Sequence, residues 1–134
     1  LLLLIFYQID ITWNILYIFP ILTIELLLLF GLVLLLSMAN VWFRDVGHAI
    51  ALLVQFWMYL TPIIYPYSMV PERFLWLYDL NPMVGIIEGF RTVVLKGEPP
   101  PLDLLAVSLI ISVAMFVLGY AQFKKREFQF ADVI

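Results

Sequence analysis

With 134 residues, 65% of them hydrophobic and 13% charged, the chain lies outside the composition of a soluble domain and inside that of multi-span membrane proteins. Seven basic against ten acidic residues give a net charge of -3, which leaves no basic face for nucleic acid or for an anionic membrane surface. Cysteine is absent, so disulfides, thiolate metal sites and thiol nucleophiles are excluded.

Leu1 to Phe6 reads as the tail of a partial span over about 1–7, followed by a polar turn at Gln8, Asp10, Thr12 and Asn14 with belt aromatics Tyr7, Trp13 and Tyr17. Ile15 to Met38 is apolar for 24 positions, roughly 36 Å of helix, enough to span with tilt. Pro20 falls in its first turns, where it could kink the helix. Glu25 is the one ionisable residue of this run. A charge near mid-membrane costs on the order of 3 kcal/mol, so Glu25 is expected to face a partner or a wet cavity, or to be hydrated at the interface or protonated.

Asn40, Arg44, Asp45 and His48 interrupt the apolar character between Ser37 and Ala51. Arg44 and His48 are four apart while Val41, Trp42 and Val46 can lie toward lipid, the pattern of a short interfacial helix or elbow. A lone histidine without an acid cluster does not suggest a metal site. Ala49 to Ile64 then gives a third span of 16 residues, about 24 Å and slightly short for a bilayer.

Thr61 to Arg91 is apolar enough for membrane depth but carries Pro62, Pro66, Pro71 and Pro82, so it cannot be one helix. Irregular backbone at that depth must be buried in protein or line a watery cavity, which predicts a re-entrant lid over about 62–96, against the alternative of an external loop with belt aromatics. Pro71 with Glu72 suits one helix start, over Pro71 to Asp79, and Asn81 with Pro82 a second, over Pro82 to Leu95. Glu88 and Arg91 stand at i,i+3 and can pair. Gly97 and Pro99 to Pro101 stop the lid, Leu102 to Phe123 is a further span, and Lys124, Lys125 and Arg126 open a basic cytoplasmic tail over 124–134. The expectation is an all-α membrane protein, a multi-span helical bundle with re-entrant external gate helices.

No phosphate-binding loop, histidine pair or serine elbow is present, so no catalytic constellation stands out and the chain by itself cannot use ATP. NVWFRDVGH, LTPIIYP, VPE, LNPMVGIIEGFR and the final EFQFADVI, in this order and spacing, resemble the C-terminal half of ABC-2 type permeases that export O-antigen, capsule and teichoic-acid polysaccharides. The resemblance implies a six-span subunit of the bacterial inner membrane that dimerises and pairs with two copies of a separate subunit binding ATP and magnesium. The cargo it implies is a lipid-linked glycan, and it assigns this chain no cofactor or metal. It places Arg44, Asp45 and His48 at a cytoplasmic elbow coupled to the ATPase. Pro62, Tyr65, Pro66, Pro71, Asn81, Pro82, Glu88 and Arg91 would form the external gate. Trp42, Phe43, Phe56 and Tyr65 are candidates for stacking on sugars. The amphipathic N-terminal helix, the first two spans and most of the third, with the main coupling loop, have no counterpart in these residues. Other readings are export of drugs or other lipids, a membrane-embedded glycosyl-transfer enzyme using Glu25, Asp79 or Glu88, and a structural pore.

Overall fold

A computed structural model describes residues 12–42, 46–63 and 65–131, and every regular element among them is helical. A 3-10 turn, Trp13–Tyr17, leads into α1, Ile18–Trp42, and α2 follows at Val46–Leu60. A second 3-10 turn, Tyr67–Met69, precedes the short helices α3, Glu72–Asp79, and α4, Pro82–Arg91. A π-helical turn, Thr92–Lys96, extends α4, and α5 runs over Leu102–Ala131. Two stretches are long and apolar enough to cross a membrane, Trp13–Ala39 and Leu102–Lys125, with mean hydropathies of 2.6 and 2.4.

Several boundaries differ from the expected ones for identifiable reasons. Pro20 is the third residue of α1, where an amide would have no intrahelical acceptor, so the helix continues through it. Of the expected interfacial helix or elbow at Ser37 to Ala51, residues up to Trp42 continue α1 and those from Val46 open α2, and Phe43, Arg44 and Asp45 lie outside the described residues. α5 continues past the expected end of the span at Phe123, because nothing in the sequence breaks the helix before Ala131.

α1 and α5 pack along their length. A Cβ on Gly31 would lie 2.6 Å from the Phe116 amide nitrogen, and one on Gly119 would lie 2.8 Å from the Gly31 carbonyl oxygen. Residues 31 to 35 of α1 therefore run alongside 115 to 119 of α5 in the same direction, and the two helices are parallel. In lipid the apolar environment outside equals that inside, so such contacts hold through backbone approach and dispersion rather than through water exclusion.

Two parallel helices in one chain require the backbone between them to return, and α2 with α4 makes that return. α2 has 15 residues, about 22 Å. α4 is wedged against both long helices and is the most buried of the short helices, with Pro82, Val84, Gly85, Ile86, Glu88 and Gly89 buried. A Cβ on Gly85 would overlap the Leu104 carbonyl and the Ser108 hydroxyl, so only glycine lets α4 sit this close to α5. Ile21, Ile24, Leu28, Ile86, Val93 and Leu105 form the shared core.

Candidate functional site

The centre of the site is the C-terminal end of α2. The last four carbonyls of a helix lack intrahelical donors, and at membrane depth each must find one in protein. Here all are paired. Thr61 donates its hydroxyl to the Trp57 carbonyl at 2.8 Å and its amide to that of Met58 at 3.4 Å. The Tyr65 hydroxyl reaches the Tyr59 carbonyl at 3.1 Å, and the Asn81 side-chain amide reaches that of Leu60 at 3.4 Å. Beyond the helix, the Thr61 carbonyl accepts from the Ile63 amide at 2.7 Å, and the Arg91 guanidinium covers the carbonyls of Pro62 at 3.0 Å and Ile63 at 3.4 Å.

Asn81 is the node of this arrangement. It is the N-cap of α4, with Pro82 opening the helix, and its Oδ1 accepts from the Met83 amide at 3.1 Å and from the Trp57 indole at 2.9 Å. Its amide also donates to the Thr61 hydroxyl at 3.0 Å. One side chain thus starts α4 and closes α2.

Arg91 is the second tie. It pairs with Glu88 one turn back, on the buried face of α4, and uses its other terminal nitrogen on the Pro62 and Ile63 carbonyls. The planar fork of guanidinium suits such double duty, and Glu88 supplies the charge that makes its burial tolerable.

Pro66 to Leu80 lies outside these ties and is held chiefly by its own side chains. The Tyr65 and Tyr78 hydroxyls are 2.7 Å apart, and Tyr67 donates to Asp79. The Tyr67 phenol is pushed up to about 12, first by burial and then by its bond to Asp79 and the negative charges of Asp79, Asp103 and Glu88. Pro71 is the N-cap of α3 with extended dihedrals rather than its first helical residue, and Pro66 precedes the 3-10 turn in the same extended state. At the opposite end of α4, the Gly97 carbonyl, in a left-handed residue at φ 66°, accepts from Thr12 at 2.9 Å and Asn14 at 2.6 Å. The lid therefore leaves beside the start of α1.

Two cavities flank the node and share Trp57. One, of about 330 Å³, is an apolar groove between α1 and α2 lined by Leu28, Leu32, Val54, Trp57, Thr61 and Met83. Leu28 lies about 15 Å along α1 from Ile18 at 1.5 Å per residue. The other, of about 300 Å³, lies between Trp57 and Leu60 of α2 and Leu77, Tyr78 and Leu80 beyond.

Of the residues singled out in the sequence, Pro62, Tyr65, Asn81, Pro82, Glu88 and Arg91 come together around the end of α2, whereas Pro66 and Pro71 stand at the exposed outer bends. Phe56 points outward, 67% exposed, away from this cluster. Glu25 is half-buried beside the Ile21, Ile24 and Leu28 stripe, with no hydrogen-bond partner among the described residues. Phe43, Arg44 and Asp45 lie outside the described residues, and of Trp42 and His48 only the helical backbone is described. Trp57, Thr61, Tyr67 and Tyr78 were not anticipated as site residues, and Asp79 only as an acid of the enzyme alternative. A signal for part of the packing was present in the Gly85-xxx-Gly89 and Ser108-xxx-Ser112 spacings, which are helix-contact patterns in membranes.

Apolar long helices, a buried short helix and a fully paired helix end are features of a helical membrane protein, and among the described residues no group of three or more potential metal ligands occurs. Residues 1–95 match the family model described as ABC-2 type transporter, and the chain belongs to that family. Curated relatives include an O-antigen export system permease protein RfbA of Klebsiella pneumoniae, 28% identical over 116 residues, covering 86% of this chain and 44% of that protein. Its namesake from Myxococcus xanthus is 30% identical over 127 residues, covering 92% of this chain and 48% of that protein. The chain thus spans a little under half the length of these relatives. No solved structure gives a significant match.

Proposed function

We propose that the chain is part of the permease subunit of an ABC exporter that moves a lipid-linked polysaccharide across the bacterial inner membrane, driven by a separate ATP-hydrolysing subunit. The observation that carries this reading is membership of the ABC-2 transporter family together with relatives named as O-antigen export permeases. On this reading the protein crosses the membrane several times and works as a homodimer, and α3 with α4 forms a re-entrant closure at the outer face. The completed carbonyl set at the end of α2 supports the re-entrant element, since a helix can stop inside hydrocarbon only when protein pairs its last carbonyls. Of the three acids named for the enzyme alternative, Asp79 is held by Tyr67 and Glu88 by Arg91, while Glu25 stands apart on α1.

The test is complementation. The full-length permease carrying this segment, expressed with its ATPase in a bacterium lacking its own O-antigen permease, should restore lipid-linked glycan at the cell surface. Restored drug efflux with no surface glycan would redirect the assignment to another cargo.

A further inference from the structure

We infer that Tyr65 to Leu80 is a single-hinged flap that swings as one body about the Thr61–Asn81 junction, while α4 stays docked and Tyr65 acts as the latch. The inference rests on reading this segment as an outer closure and specifies which part of that closure moves.

The two ends of the flap meet. Asn81 donates to Thr61 at 3.0 Å, so the chain that leaves at Pro62 returns to the same point, as in a compact loop with closed ends. Between those ends the segment is bound to itself, through Tyr65 with Tyr78 and Tyr67 with Asp79. α3 has no buried residue, and at the flap's end the backbone changes from helical at Leu80 to extended at Asn81. Element ends of that kind absorb the dihedral change of a hinge.

The neighbouring half has the opposite character. α4 touches α5 through backbone at Gly85, is capped by Asn81 and is tied to the end of α2 by Arg91. Moving it would break backbone packing and uncover Glu88. Beneath the C-terminal part of the flap is a cavity of about 300 Å³, with Trp57 and Leu60 on the fixed side and Leu77, Tyr78 and Leu80 on the moving side, while Val70 is the flap's buried side chain. The Tyr65 hydroxyl spans the division, bonded to Tyr78 on the flap and to the Tyr59 carbonyl on α2. When it lets go, the exposed Tyr59 carbonyl can be paired by water entering the opened space, so opening and wetting coincide.

Hydrogen exchange on the full-length permease in lipid nanodiscs tests this. Tyr65→Phe should raise exchange of the amides of 65–80 together, by about tenfold, with 82–91 unchanged, whereas Tyr78→Phe, which leaves the bond to Tyr59, should raise it by less than about twofold. A matching rise across 82–91 would mean that both short helices move as a pair and would overturn the inference. So would equal effects of the two variants or no rise in either. If exchange divides at residue 81 as expected but Tyr65→Phe exports normally without added solute leak, the flap stands and its role in export falls.

Discussion

Arg91 and Pro62, 29 positions apart, are joined by a hydrogen bond of 3.0 Å from a guanidinium to the carbonyl one residue past the Thr61 side-chain node. Because the same guanidinium pairs with Glu88, losing it strands both a buried carboxylate and two carbonyls. Arg91→Gln is expected to destabilise the protein by about 3 kcal/mol, the range for breaking a buried pair. Adding Glu88→Gln should recover part of that loss, and thermal unfolding of the two single variants and the double variant in detergent measures the coupling. Strict additivity would show that the pair acts as two independent surface charges.

Asn81 is expected to matter more than the indole that binds it. Asn81→Ala removes the cap of α4 and the donor to Leu60 and Thr61, for about 2 kcal/mol, while Trp57→Phe removes one bond worth about 1 kcal/mol. Replacing Asn81 and Pro82 together by alanine favours one helix through Arg91, and leakage of small sugars from reconstituted vesicles should rise. An unchanged leak rate in the double variant would remove the bend from the closure.

Side-chain volume at Gly85 is excluded by the Leu104 carbonyl. Gly85→Leu should therefore push α4 off α5, beyond the about 1–3 kcal/mol of ordinary overpacking, since backbone cannot yield as a side chain can. Ser112, fully buried and without a hydrogen-bond partner among the described residues, offers the contrast: Ser112→Ala should be neutral or stabilising. Thermal stability in detergent measures both, and a Gly85→Leu protein as stable as the parent would contradict the close approach.

The Tyr67 phenol has a folded pKa of about 12 against an ordinary value of 10.0. A raised folded value means that the stability it contributes is fully present below pH 10 and is lost as pH climbs from 10 through 12. Melting temperature should then fall across that window in the parent and fall less in Tyr67→Phe. Identical profiles would show that Tyr67 is not bound to Asp79 in solution.

The cysteine-free background allows sidedness to be read directly. Single cysteines at Ser68 and Glu98 should react with an impermeant thiol reagent from outside, and one at Gln129 only after the inner face is opened. Glu98 serves better than Gly97, whose positive φ disfavours a side chain. Labelling of all three from one side would reverse the assignment of the outer face.

What was legible in the sequence was what has a local cause. Asn81 before Pro82 reads as a cap and a start, Glu88 and Arg91 as one helical turn, and the apolar runs as α1 and α5 because their length leaves no other structure. Illegible were the relations made across distance. Nothing near Tyr65 reveals that its hydroxyl completes Tyr59, and nothing near Arg91 points to Pro62, because unpaired carbonyls are created by where a helix stops in three dimensions.

The close seat of α4 on α5 has a consequence for biogenesis. Residues 82–91 leave the ribosome before 102–131, yet the surface that accepts Gly85 is made of Leu104 and Ser108. Ten residues are too few to hold a position in the bilayer alone, where about 20 are needed. During synthesis α4 therefore cannot take its seat against α5 until Leu104 and Ser108 have been released. Truncation before Leu102 would leave α4 without the surface that receives Gly85.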